Sequence, residues 1–315
     1  MDISKTLTRE QYLYMAKLAE LSERYEDVTN NMNNLVTLYV SPTSALTEVE
    51  RKLLLTGNKN VVDQLRSAWR TVSLVEQNKE GRKNGDPEER VRKYRHKLEG
   101  EISKVCDGIL KLLNETLIPS AGSSIESKVF YYTIRGDYER YLAEINVGDD
   151  ECSEKATLSY KAAQTIALAD LRPSHPLRLS LALNFSVHFY EILKATQTAC
   201  SMARVAFDDA LEDMNSSPGE PSMESLHIMQ LLRYNVTASS WLNDLRDQVE
   251  HNRVLNVIYR SATALGTRLP SIANAKARVA VAGALLRPVS SSTKVVMKRA
   301  QDVAQAVVKS RSSLP

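Results

Sequence analysis

From about residue 9 to residue 247, apolar residues recur every three or four positions, the spacing that places them on one face of an α-helix. The runs are separated by short clusters of glycine, proline and small polar residues, such as NKEGRKNGDPEER over residues 78–90. We count about nine helices joined by short loops and no convincing strand. The pattern predicts an all-α array of antiparallel helices.

Three boundaries within this pattern are less regular. The run over residues 10–35 counts as one helix, whereas Gly57 is expected to divide residues 44–77 into two. A long amphipathic helix is expected from residue 91 to residue 117 and to stop before Pro119.

The last fifth of the chain has a different composition. Residues 251–315 carry eleven Lys or Arg and one acidic residue, Asp302, for a net charge of +10, while residues 1–250 carry −7. Short helices without a packing partner are only partly formed in water. We therefore expect a helical domain over 1–248 and a basic, largely disordered extension over 249–315.

Composition narrows the function classes. The three cysteines (Cys106, Cys152 and Cys200) are widely spaced, which disfavours disulfides and zinc and fits a reducing compartment. The amino-terminal residues lack the pattern of a signal peptide, and no run of 18 apolar residues occurs. We expect a protein of the cytoplasm, or also of the nucleus.

Catalytic signatures are missing from the sequence. It contains no HExxH, P-loop, GxSxG or CxxxxxR motif, and its five histidines have no ligand spacing. We predict that the protein is not an enzyme and needs no cofactor or metal.

Cations form the first candidate site. Lys59, Arg66 and Arg70 fall within about 40° of one helix face. Such a row suits an anion, carboxylate partners or a solvated surface. Further along the chain, Arg140 precedes Tyr141, so a guanidinium fork stands beside a phenol hydroxyl, and both groups can donate to phosphate oxygens.

Two further faces carry carboxamides. Asn184, Val187 and Glu191 share one helix face, and Leu231 and Asn235 share another. Such an amide can pair with the backbone of an extended peptide, although an Asn within an apolar helix is more often a satisfied core amide.

Eight sequence blocks then point to a family. The blocks NKNVV, SAWR, SKVFYY, RGDY, RYLAE, HPLRL, LALNFSV and IMQLLR resemble the 14-3-3 family over about residues 9–242. The resemblance implies a cup-shaped dimer of nine-helix protomers. Each protomer would bind phosphoserine or phosphothreonine peptides in an amphipathic groove.

The resemblance also assigns roles. Arg66, Arg140 and Tyr141 would form the phosphate pocket, with Lys59 close by and Arg70 supporting its charge. The remaining groove residues would be Asn184 and Asn235 against the peptide backbone, Leu183, Val187 and Leu231 as an apolar wall, and Glu191 on the face of Asn184.

Four positions depart from the family pattern. Thr133 stands on the groove side where the family usually has Lys, His227 replaces an apolar wall residue, Tyr234 replaces an acid, and Ser239 stands in place of Trp. These departures bear on peptide preference and leave the phosphate pocket intact.

Assembly is implied as well. Arg24 would pair with Glu101 of a second protomer, and Asp27 with Lys97, near Tyr94. Most of the interface would be an apolar stripe on the first helix, made of Tyr12, Met15, Leu18 and Ala19. Such protomers form homodimers or heterodimers.

The basic extension leaves an alternative open, a helical protein that associates with nucleic acid or membranes through its tail. Arg287 lies three residues before Ser290, and Arg311 lies two residues before Ser313. Phosphorylated at either serine, the tail could occupy the protein's own groove. Otherwise it remains a basic tail that contacts anionic surfaces.

Overall fold

The computed structural model describes residues 7–77, 86–216 and 222–235, which fold into nine helices with one isolated β-bridge between Ser41 and Ser44. The all-α prediction is confirmed for this part of the chain. The helices are α1 Arg9–Leu21, α2 Tyr25–Tyr39, α3 Glu48–Gln77, α4 Asp86–Leu112, α5 Ile125–Ile145, α6 Asp150–Asp170, α7 Pro176–Glu191, α8 Thr196–Ser216 and α9 over residues 223–235.

Polar side chains mark where several helices begin. Thr8 forms a capping box with Gln11 at α1, Ser124 caps α5, and Asp149 caps α6. Each side chain accepts from an amide of the first turn that has no partner within the helix. These local signals fix the start of three helices, of which α5 and α6 carry residues of the site.

Two of the expected helix boundaries were wrong. Residues 10–35 form two helices, because the chain turns at Glu23, whose φ is +55°. Gly57, by contrast, lies inside the continuous helix α3. A Cβ there would lie 2.9 Å from Val28 Cγ1, so the glycine permits close packing of α3 on α2 rather than a break. The two errors offset each other in the helix count.

Both ends of α4 also differ from expectation. The helix begins at Asp86, inside the expected loop, and continues through a π-helical turn at Leu113–Leu117 into Ile118–Ser120. Pro119 is tolerated because it lies in the first turn after the π-helical segment, where its missing N–H matters least.

Helix α5 links the apolar clusters of the chain. Tyr131, Ile134 and Tyr138 of α5 belong to a core shared with α1 to α4, whereas Val129 packs with α6 and α7. A third cluster joins α7, α8 and α9. Since consecutive helices pack against each other, α5 lies between the two halves of the array and can contribute residues to both.

The predicted boundary at 248/249 lies outside the described residues, as do Ser239, Ser290 and Ser313. The assignments that rest on them stay predictions. Within the described residues, every helix is too short or too polar to cross a membrane.

Candidate functional site

Arginines of α3 and a glutamate of α5 form the centre of the site. Arg66 donates through Nε to Glu144 Oε2 at 2.7 Å, and its Nη1 lies 3.0 Å from Asp63 Oδ1. Arg70 donates to the other oxygen of Glu144. Burial opposes the negative charge of Glu144, but Arg66 and Arg70 outweigh that effect and lower its pKa. Glu144 is therefore a carboxylate that holds both arginines.

Arg140 of α5 is fixed from another side. Its Nε donates to the Tyr160 hydroxyl at 3.1 Å, and its Nη2 donates to Asp137 Oδ1 at 3.3 Å. Glu191 Oε2 lies 3.6 Å from Arg140 Nη1 and 3.7 Å from Arg70 Nη2. The side chains of α3, α5 and α7 therefore meet at one cationic cluster, which consists of Arg66, Arg70 and Arg140.

The Tyr141 ring contacts two of the arginines. The guanidinium carbons of Arg66 and Arg140 lie 3.9 Å and 4.7 Å from the centre of its ring. Such cation–π contacts help a ring to hold two like charges in place. Burial raises the pKa of Tyr141 to about 12, so the hydroxyl keeps its proton and remains a hydrogen-bond donor.

Carboxylates balance the cations, but they are not equally fixed. Glu144 and Asp137 are largely buried, whereas the side chains of Asp63 and Glu191 are 44% and 34% exposed. These two carboxylates are therefore partly open to solvent. Arg70 also has a buried Nη1 that no described residue hydrogen-bonds. The cluster is thus a fixed frame of donors that is held by two largely buried carboxylates and also pairs with two partly exposed ones.

Lys59 is exposed at the other end of the expected row, and no described residue forms an ion pair with it. The expected row is therefore heterogeneous. Arg66 and Arg70 are buried and paired, while Lys59 is a mobile charge available from solvent.

Asn184 reaches the same cluster from α7. Its Nδ2 donates to Asp137 Oδ2 at 3.0 Å. Because a carboxylate only accepts hydrogen bonds, this contact fixes the orientation of the amide and leaves Oδ1 and one N–H for another partner. Asn184 is therefore more than a core amide, since it shares Asp137 with Arg140.

The remaining predicted groove residues are half-buried. These are Leu183, Val187, Leu231 and Asn235. Leu183 packs on the apolar cluster that joins α7, α8 and α9. Among the described residues, no hydrogen bond or ion pair joins these four to the cationic cluster. Their place in a groove stays a prediction.

Among the positions that differ from the family pattern, Thr133 is buried and donates its hydroxyl to the Val129 carbonyl at 2.7 Å. His227 is exposed on α9, and Tyr234 is 39% exposed. Thr133 thus bonds to its own helix, whereas the other two are accessible.

The expected interface residues lie mainly at the surface. Arg24 pairs with Asp27 in this chain, and Lys97 Nζ lies 3.7 Å from Glu101 Oε1. These pairs connect neighbours on one helix, not the partners expected between protomers. Exposed pairs of this kind exchange partners readily. Tyr94 is exposed nearby.

The apolar stripe of α1 needs correction. Ala19 is buried, and Tyr12 packs against the core of its own chain, because α1 turns this side towards α2 and α3. Its exposed apolar side is made of Tyr14, Met15, Leu18 and Leu21.

Sequence reasoning missed four residues that position the cations: Asp63, Asp137, Glu144 and Tyr160. Asp63 and Asp137 had a signal, because each lies three positions before its arginine partner on the same helix. Glu144 had none, since its partners on α3 lie 74 and 78 residues away in the sequence. Tyr160 had none, since its partners are 20 and 23 residues away.

Comparison with known proteins agrees with this geometry. Residues 15–241 match the family described as 14-3-3 protein. The chain is 52% identical over 252 residues to the 14-3-3-like protein D of Nicotiana tabacum, which covers 79% of this chain and 99% of that protein.

Two other relatives give similar values. The 14-3-3-like protein G-BOX factor 14 lambda of Arabidopsis thaliana is 51% identical over 250 residues, covering 79% of this chain and 99% of the relative. The 14-3-3 protein 10 of Solanum lycopersicum is 51% identical over 252 residues, covering 79% and 98%. About a fifth of this chain therefore has no counterpart in these relatives. The chain belongs to the 14-3-3 family.

Proposed function

We propose that this protein is an adaptor that binds peptides containing phosphoserine or phosphothreonine and thereby regulates phosphorylated client proteins. One observation carries the proposal. Arg66 and Arg140, from two different helices, both contact the Tyr141 ring and are held by the largely buried carboxylates of Glu144 and Asp137. Membership of the 14-3-3 family supports this role in general. Neither the family nor the names of the relatives support the alternative of nucleic-acid or membrane association through the tail.

The chemistry of the cluster suits a phosphate monoester. Such a group carries about −1.5 to −2 charges and three acceptor oxygens at pH 7. The Tyr141 hydroxyl, Arg140 Nη1 and the Lys59 ammonium are donors without a fixed carboxylate hydrogen bond. Displacing Asp63 from Arg66 would free a further donor. The fixed frame avoids reorganising the arginines at the moment of binding.

Peptide recognition beyond the phosphate would use the neighbouring amides. Asn184 presents its free carbonyl oxygen and N–H beside Arg140, and Asn235 would provide a second carboxamide on α9. Leu183, Val187 and Leu231 would contact apolar side chains of the client. The imidazole of His227 and the ring of Tyr234 would alter the preference for those side chains.

Assembly is part of the proposal. An exposed apolar side on α1 is unusual for a helix that packs on its own core, and Leu21 is 84% exposed. We expect a second 14-3-3-like protomer, identical or not, to cover it. Arg24, Asp27, Lys97 and Glu101 would then exchange their own-helix partners for contacts across the interface.

Variants of the arginines test the proposal. Arg140→Ala should cost about 2–5 kcal/mol of phosphopeptide affinity, the usual penalty for breaking a close charge pair. Arg140→Lys keeps the charge but loses the planar fork, so it should fall between Ala and wild type. Arg204→Ala removes an exposed arginine of α8 and serves as the matched control.

Fluorescence anisotropy with a labelled phosphoserine peptide gives the affinities, and circular dichroism shows that each variant is folded. Equal affinity of the Arg140→Ala and Arg204→Ala proteins would contradict the proposal.

A further inference from the structure

Gly136 allows an unusually close approach between α5 and α6. A Cβ on this residue would lie 2.8 Å from both Cδ1 and Cε1 of Tyr160, a distance that real Cβ atoms essentially never show. The aromatic ring therefore lies directly against the backbone of α5. Any side chain at position 136 would push Tyr160 away from the helix that carries Arg140.

The Tyr160 ring also packs against two aromatic rings of α7. Phe185 stacks on it with centroids 5.1 Å apart and planes 22° apart, and the His188 ring lies 5.6 Å away. Thr157 donates its hydroxyl proton to the Ser153 carbonyl at 2.9 Å, so it accepts from His188 Nε2 at 2.8 Å. His188 is thereby fixed, and Tyr160 is confined between two helices.

The hydroxyl at the end of this confined ring has two partners. It donates to Asp137 Oδ1 at 2.6 Å and accepts from Arg140 Nε at 3.1 Å. Asp137 in turn accepts from Arg140 through Oδ1 and from Asn184 through Oδ2. Hence one hydroxyl orients the carboxylate that holds a phosphate donor of α5 and a backbone-binding amide of α7.

We infer that Tyr160 is a positioning residue of the peptide site, which couples Arg140 to Asn184 through Asp137. The inference rests on the proposed function. It gives a function to Gly136 of the RGDY block, which makes room for the ring. Tyr160 itself is fully buried, so it acts only through its neighbours.

Removing the hydroxyl tests this role. Tyr160→Phe keeps the ring against Gly136, and it should weaken binding of a phosphoserine peptide about tenfold, as expected for losing a hydrogen bond to charged groups. Tyr138→Phe is the matched control, because the Tyr138 hydroxyl is buried on the same helix as Arg140 and has no described partner. It should leave affinity unchanged.

The energetic coupling between Tyr160 and Asn184 distinguishes a positioning role of Tyr160 from a general loss of structure. Asn184→Ala is introduced into the wild type, into Tyr160→Phe and into Tyr138→Phe, and the dissociation constants of all six proteins are compared. If Tyr160 acts through Asp137, the double variant Tyr160→Phe/Asn184→Ala loses less affinity than the product of the single losses. A purely structural effect gives the full product.

The outcomes are distinct. A wild type without preference for the phosphorylated peptide overturns the proposed function and this inference with it. If the wild type shows the preference, two results overturn the positioning role alone. Either the Tyr160→Phe protein binds the phosphopeptide as tightly as Tyr138→Phe does, or the affinity losses of Tyr160→Phe and Asn184→Ala multiply in the double variant. If Tyr160→Phe does not fold, Asp137→Asn replaces it in the same cycle and should show the same coupling with Asn184.

Discussion

His188 should make folding of this protein sensitive to acid. Its side chain is fully buried, its Nδ1 has no hydrogen-bond partner among the described residues, and its surroundings are the aromatic rings of Tyr160, Phe185 and Phe189. Burial, and then the positive charge of Arg140, lower the pKa of His188 from 6.5 to about 4.

The sign of the effect follows from proton uptake. Between pH 6.5 and pH 4, the unfolded chain binds a proton at His188 that the folded chain does not, so stability falls as the pH falls. Integrating over this interval gives a loss of about 2 kcal/mol between pH 7 and pH 5 from this residue alone.

Two variants that cannot titrate provide the comparison. His188→Phe suits the aromatic surroundings, and His188→Gln retains a donor for Thr157. Urea unfolding of the wild type and of each variant is followed by circular dichroism at pH 7, 6 and 5, at one protein concentration. The difference between wild type and variant should change by about 2 kcal/mol in favour of the variant over this range. A constant difference for both variants would show that His188 is not held neutral by its surroundings.

Other consequences can be measured separately. Glu144→Gln removes the carboxylate that two buried guanidinium groups share and should lower the free energy of unfolding by about 3–5 kcal/mol; an unchanged urea midpoint would contradict this. Gly57→Ala should destabilise by about 1–3 kcal/mol because the new methyl group meets α2. Gly108→Ala, where nothing lies within 4 Å, should stabilise by about 1 kcal/mol, and the opposite order in thermal unfolding would refute the packing. Leu18→Glu should give monomers in sedimentation velocity, whereas Leu158→Glu on α6 should not; a wild type that is monomeric at micromolar concentration would exclude the proposed dimer.

Much of the fold follows from local rules. The helical period and the caps locate the helices because both depend on residues within one or two turns. The errors at Gly57 and Pro119 have a common cause. A glycine or proline weakens a helix on its own, but packing against a neighbouring helix or a π-helical turn can outweigh that local preference.

The site was predictable in part. Helical geometry groups Arg66 with Arg70, and the resemblance to the 14-3-3 family adds Arg140, Tyr141 and Asn184. Periodicity does not show that Tyr160 joins them, because that contact depends on how closely α6 approaches Gly136. A sequence pattern also does not show whether a cation is free or already paired, as Lys59 and Arg66 illustrate.

The central claim is that this chain recognises phosphate on a peptide. Calorimetric titration of the full chain with a phosphoserine peptide, its unphosphorylated form and a glutamate-substituted form tests the claim directly. We expect the phosphorylated peptide to bind roughly a hundredfold more tightly than the unphosphorylated one, equivalent to about 3 kcal/mol. The glutamate form should bind little better than the unphosphorylated peptide, because one carboxylate lacks the second charge and third oxygen. Equal affinity for all three peptides would contradict the recognition of phosphate by this chain.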